Sequence, residues 1–281
     1  AIPTTAGTGS EATKNAVVCD RKEGYKKSLR HDAYLPDIAL VDPELTLTLP
    51  RHVTMACGLD AISQLIESYT STQADTAMDE LVLKALSYAS ESLLPLALGQ
   101  SNHITLRSKM SYAALVSGIA LSKSGLGAIH GIAGPLGGFC AVPHGIACGK
   151  LLFPTMTFVI KHIIHENNFA AQKRFADIGK IFTSGDAIHD ATQISKTKHT
   201  ETIKLNNHAT DGGENQEVYT RDCRQFLGVL DKWTRTFKLP QLSLFGMTAA
   251  HMEKTIELAD NKNSPAILSK EDMKIILEVV R

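Results

Sequence analysis

From residue 54 onward, apolar positions recur at three- and four-residue intervals, the period of a helix packed on one face. The first such stretch predicts a helix over 54–71, with Leu59, Ile62, Ile66 and Tyr69 on its buried side. Further helices are expected over 77–94, stopped by Pro95, and over 105–122. A glycine-rich helix over 125–138 should be kinked by Pro135, and one over 145–164 should break near Pro154. The pattern continues over 169–182, 218–237 (Phe226, Val229 and Leu230 on one face), 248–260 and 271–280. Thr248 and Ser269 stand where N-caps belong, with Glu253 and Asp272 close behind them. Between 182 and 218, residues 184–217 are mostly polar and read as an exposed, mobile excursion.

The N-terminal part has a different period. Residues 1–12 are rich in Gly, Thr and Ser, which is turn chemistry open to close backbone approach. Residues 14–20 form a short β-branched run, 21–27 a charged turn, and 38–42 an apolar run that reads as a buried strand. Pro43 and Pro50 bracket a connector. The fold class expected is therefore mainly α: a small β-containing piece over 1–48, then an all-helical domain over 49–281. Ala1 is not methionine, and the opening residues read as the middle of a fold rather than its start.

Composition narrows the function. A chain of 281 residues, 43% hydrophobic and 21% charged, has the balance of a soluble globular protein. With 29 basic and 29 acidic residues and no basic block, nucleic acid and anionic membrane are poor partners. No signal peptide is visible, and no apolar run looks long enough to cross a bilayer. The five cysteines form no CxxC pair; their odd number argues for reduced, buried thiols and a cytoplasmic setting.

Chemistry is concentrated in two segments. Asp60, Gln64 and Glu67 follow i, i+4, i+7 spacing, so about 100° per residue places them on one helix face among Leu59, Ile62 and Ile66. A solvated helix face is the plainer reading of that spacing; a buried carboxylate would need a partner charge or a metal. His130 and His144 each precede a glycine in apolar, small-residue surroundings. A lone buried histidine is ordinarily a hydrogen-bonded core residue. Two of them beside a carboxylate helix suit a Zn²⁺ or Fe²⁺ site with open coordination positions.

Five segments, in order, carry a resemblance: Pro3-Thr4-Thr5-Ala6-Gly7-Thr8-Gly9-Ser10-Glu11; Asp42-Pro43-Glu44; Gly58-Leu59-Asp60-Ala61; Gly127-x-x-His130-Gly131-x-Ala133-x-Pro135-Leu136-Gly137; and Pro143-His144-Gly145. Together they resemble the iron-containing (group III) alcohol dehydrogenases, relatives of lactaldehyde reductase, propanediol dehydrogenase and glycerol dehydrogenase. The likeness covers residues 1 to about 155. It implies that Asp60, His130 and His144 ligate a metal, Fe²⁺ or Zn²⁺. The family's usual fourth ligand is a histidine four residues after the aspartate; here that position is Gln64, a weaker, neutral donor. A second family histidine, four after His130, is replaced by Gly134, which removes a proton carrier and opens room for a bulkier substrate.

The resemblance also assigns the first loop to NAD or NADP, with Thr4, Thr5, Gly7, Thr8, Thr13, Asn15 and Lys26 lining the cofactor groove. A Gly/Thr-rich loop with a solvated lysine is the plain alternative. The family's GGGS-type phosphate loop and its parallel sheet are not found, so residues 1–48 are expected to be a remnant of an α/β nucleotide-binding domain. The implied activity is interconversion of a small-molecule alcohol with an aldehyde or ketone by hydride transfer, with a homodimer expected by analogy. Two alternatives stay open: a non-catalytic metal-binding remnant or split half-enzyme, and a sister activity resembling dehydroquinate synthase or glycerol dehydrogenase.

Overall fold

The computed structural model describes residues 1–20, 24–184 and 214–281, so most of the polar 184–217 excursion lies outside the described residues. A hairpin comes first: β1 (Asn15–Asp20) pairs antiparallel with β2 (Tyr25–Arg30), in register from Asn15 opposite Arg30 to Asp20 opposite Tyr25. Nine α-helices come after it among the described residues: α1 (Arg51–Thr70), α2 (Asp79–Leu98), α3 (Ile104–Ser124), α4 (Ala128–Phe139), α5 (His144–His165), α6 (Phe169–Ser184), α7 (Glu214–Phe237), α8 (Ala249–Leu258) and α9 (Lys270–Val280). The mainly helical architecture expected from periodicity is the one observed.

Helix α1 is the axis of the bundle, packed against α2, α3 and α5, with α4 and α6 also touching it. Every residue from Gly58 to Thr70 is buried, so this helix has no solvated side over that length. The α6–α7 pair closes one flank through Phe175, Phe182, Phe226 and Trp233. The hairpin lies on α4, with Lys26 running along Gly137. Thr248 and Ser269 cap α8 and α9 as expected, and Ser269 with Asp272 makes a full capping box.

Several local expectations are corrected. Residues 38–42 are not a buried strand: Ile38 is 75% and Leu40 57% exposed, and among the described residues their backbone pairs with Ala1. An apolar run becomes a sheet strand only where a sheet receives it, and the sheet among the described residues is the hairpin alone. Tyr25–Lys27 of the charged turn belong to β2. Pro95 does not stop α2, and Pro154 does not break α5. Each proline removes one backbone hydrogen bond, but Leu96, Thr155 and Met156 are buried beside them, and packing outweighs that loss. The glycine-rich helix starts at Ala128; Gly125, with φ near +70°, ends α3 instead, and the chain turns by 99° between α3 and α4. By length and composition Thr76–Leu98 and His144–His165 could each cross a membrane, contrary to expectation. In this fold 56% and 67% of their apolar windows are buried against the other helices.

Two close approaches fix the first loop and α5 against the bundle. Gly9 has a left-handed φ of 66°, and a Cβ there would lie 2.1 Å from the Ala114 carbonyl of α3. This seats the 1–12 loop directly on α3. A Cβ on Gly145 would lie 2.2 Å from the Ala56 carbonyl, so the start of α5 rests on the backbone of α1. Only glycine permits either contact.

Candidate metal centre

Asp60 and Glu67 project from α1 into the interior, with side chains 4% and 2% exposed. Their spacing along α1 aims them at the first turn of α4 and the first turn of α5. Glu67 is held at two atoms: Oε1 accepts from the Ile129 amide at the start of α4 (2.6 Å), and Oε2 meets His130 Nδ1 at 2.6 Å. It therefore caps a helix N-terminus and, in the same contact, orients an imidazole. With Nδ1 engaged by Glu67, His130 presents Nε2 to Asp60 Oδ1, 3.4 Å away. His144, the first residue of α5, brings its Nε2 to 3.6 Å from the same oxygen. The other Asp60 oxygen accepts from Thr8 Oγ1 at 2.7 Å. The two imidazole rings stand edge to face, 5.4 Å between centroids.

Cys148 completes the cluster. It lies one turn after His144 on α5, fully buried, with Sγ 3.6 Å from His130 Nε2 and 3.7 Å from His144 Nε2. One donor atom from each of Asp60, His130, His144 and Cys148 lies within 4.8 Å of the others. By composition and surroundings this thiol reads as a small apolar filler. The signal that could have found it is its i, i+4 relation to His144, which puts both on one face of a helix.

The electrostatics are those of a site that demands positive charge. Burial works against charge on Asp60, yet His144 and His130, with hydrogen bonds from His130 and Thr8, hold its carboxyl far below the usual carboxylate range. Burial pushes the Cys148 thiol up, but the neighbouring His130 and His144 outweigh this and leave it below its ordinary value. Burial disfavours a charged His130; Cys148 and Glu67 override that and raise it well above the ordinary value. His144 is raised as well, first by Cys148. Buried carboxylates of this kind are balanced by imidazolium or by a bound cation. The donor set suits the second. Around a tetrahedral ion with bonds of 2.0–2.1 Å to N or O, donor atoms stand about 3.3–3.4 Å apart. The two Asp60–imidazole separations, 3.4 and 3.6 Å, are close to that spacing.

Gln64 is buried beside the cluster, and its Oε1 accepts from Ser117 Oγ at 3.0 Å. Of the residues expected at the nucleotide, Thr8 spends its hydroxyl on Asp60, and the Thr13 hydroxyl donates to the Ser10 carbonyl. Thr4 and Thr5 are exposed, and Asn15 is half-buried in β1. Thr5, Gly7 and Thr8 line an open groove of about 260 Å³ together with Ile2, Pro3 and Gly9. No neighbour lies within 4 Å of where a side chain on Gly134 would begin.

Residues 54–217 match the family described as Fe-containing alcohol dehydrogenase, C-terminal, and residues 1–43 match iron-containing alcohol dehydrogenase. The 1-propanol dehydrogenase PduQ of Citrobacter freundii is 38% identical over 182 residues, covering 64% of this chain and 47% of that protein. The NAD-dependent methanol dehydrogenase of Bacillus methanolicus is 36% identical over 181 residues, covering 64% and 45%. The chain thus spans less than half the length of these relatives. Among solved structures, a 1,3-propanediol oxidoreductase superposes over 100% of this chain and 65% of its own, with a TM-score of 0.76 and 23% identity, a likeness of fold.

Proposed function

Because this chain belongs to the iron-containing alcohol dehydrogenase family, we propose that it carries the metal and substrate site of an NAD(P)-dependent alcohol dehydrogenase, which interconverts an alcohol and an aldehyde or ketone by hydride transfer. The observation that supports this most directly is the convergence of His130 Nε2 and His144 Nε2 on one oxygen of Asp60, with Glu67 behind His130. Asp60, His130 and His144 would hold a divalent ion. When bound, the ion supplies Lewis-acid polarisation of the substrate oxygen.

The chain's own residues do the rest. Glu67 holds His130 through Nδ1, so the Nε2 lone pair faces the site. Thr8 fixes the rotation of the Asp60 carboxylate. Asp60 and His130 are themselves buried, which limits water around them. His144 is the exposed member, with 32% of its side chain accessible, so substrate enters from its side. The open space at Gly134 leaves room for the body of the alcohol. Thr4, Thr5, Gly7, Asn15 and Lys26 would contact the nicotinamide nucleotide; Thr8 and Thr13, whose hydroxyls are engaged internally, would contribute backbone groups.

The test is metal analysis of the purified chain beside Asp60→Ala and His144→Ala. About one divalent ion per chain is expected, lost in both variants; unchanged metal content in both would sink the assignment. Fluorescence titration with NADH and NADPH tests the nucleotide contacts in the same preparations.

A further inference from the structure

We propose that Cys148 is a fourth protein ligand, its thiolate completing an Asp–His–His–Cys set that takes Zn²⁺ in preference to a hard cation such as Mn²⁺. The inference rests on the reading of Asp60, His130 and His144 as metal ligands and adds a donor to it.

Geometry carries the case. Nitrogen and sulfur on one tetrahedral ion, at bonds of about 2.05 and 2.3 Å, stand about 3.5–3.6 Å apart. Cys148 Sγ lies 3.6 and 3.7 Å from the two Nε2 atoms, the same atoms that face Asp60 Oδ1. Four edges of a coordination tetrahedron are thus already near their final lengths. The fifth and sixth lie within the 4.8 Å that encloses all four donor atoms. The sulfur's polar contacts among the described residues are these two imidazoles. Gln64, the other candidate for a fourth position, has its carbonyl oxygen turned to Ser117. Helix α5 supplies both His144 and Cys148 from adjacent turns, so one rigid element sets two donors.

The chemistry comes from the donor. On binding, the S–H bond breaks, a sulfur–metal bond forms, and the proton leaves to bulk water. Thiolate is soft and favours Zn²⁺ over oxygen-seeking ions. Substrate would approach from the side where His144 is exposed.

The experiment loads the full chain with Co²⁺ and records its absorption. One Co²⁺ per chain with a near-ultraviolet sulfur-to-cobalt charge-transfer band is expected, and Cys148→Ser should bind Co²⁺ without that band. Zn²⁺ affinity of Cys148→Ser, measured against a chromophoric chelator, should fall by more than about 100-fold, beyond the 10–100-fold cost of losing an outer contact. Mn²⁺ affinity should change far less. X-ray absorption on the zinc-loaded, unmutated chain needs no variant to fold, and should show one sulfur at about 2.3 Å. Stoichiometric Co²⁺ without the band, a band that persists in Cys148→Ser, or zinc surrounded only by N and O would overturn the Cys148 assignment while leaving Asp60, His130 and His144 in place. Failure of the unmutated chain to bind Co²⁺ or Zn²⁺ would overturn both readings.

Discussion

Glu67 shows how much one side chain can settle in this protein. Its carboxylate answers two buried donors at once, the Ile129 amide and His130 Nδ1. Replacing it with glutamine keeps an acceptor but removes the charge that makes Nε2 more basic. Glu67→Gln should therefore weaken metal binding by about 10–100-fold while leaving helix content unchanged; competitive chelator titration beside circular dichroism reads both, and an unaltered affinity would contradict the assigned role. Glu67 was visible in the sequence as the third member of an i, i+4, i+7 stripe. Its burial was not, because the same stripe on a surface helix would be solvated. Thr8 is the reverse case. The family resemblance of its loop implied a nucleotide contact, and only the fold brings its hydroxyl to Asp60, 52 residues away.

At the level of elements, the site depends on where α5 begins. Gly145 lets the α5 N-terminus touch the α1 backbone, with His144 facing Asp60. Gly145→Ala would drive a methyl group into the Ala56 carbonyl and push the two helices apart. Overpacking of this kind costs about 1–3 kcal/mol, and the shift should lower metal affinity too. A thermal melt with a metal titration checks both, and a variant that melts and binds like the parent would contradict the contact. Helix α9 offers a pH test. Burial raises the Asp272 carboxyl, but hydrogen bonds from Ser269 and an ion pair with His162 outweigh it and hold it below the usual carboxylate range. A carboxylate depressed in the folded state adds stability above its unfolded value and loses it as the pH falls through its folded value. The advantage of the parent over Asp272→Asn should therefore be full near neutral pH and should vanish in strong acid, once the folded-state carboxyl is protonated. Urea melts of both proteins across that range read the difference, and one that persists in strong acid would refute the account. Helix existence was legible from the 3.6-residue period. Helix ends at Pro95 and Pro154 were not, because local preference for a break was set against burial that the local pattern does not report.

For the whole molecule, a bound ion would tie α1, α4 and α5 together through donors from each. Folding and metal affinity are then linked: free metal at about 100 times its Kd stabilises the folded state by about 2.7 kcal/mol. Removing metal with a chelator should lower the melting temperature, re-addition of Zn²⁺ should restore it, and Asp60→Ala should melt at one temperature in either condition. A parent chain whose melting ignores metal would argue against a site that joins the three helices. The same packing explains why Thr76–Leu98 and His144–His165 carry membrane-like lengths of apolar residues. Just over half of the first apolar window and two thirds of the second are buried in the bundle.

The helical class, the order of the helices and the caps at Thr248 and Ser269 could all be read along the chain. So could the family, through Asp60, His130 and His144 in their motifs. These are local features: periodicity, capping chemistry and short motifs all operate within a few residues. Only the packed fold makes Asp60 and Glu67 interior, turns Thr8 to the carboxylate, leaves Ile38 and Leu40 without a sheet to join and brings Cys148 to His130. Each of those depends on contact between segments far apart in the chain. Such contacts arise from the packing of whole faces, and no spacing within one segment encodes them.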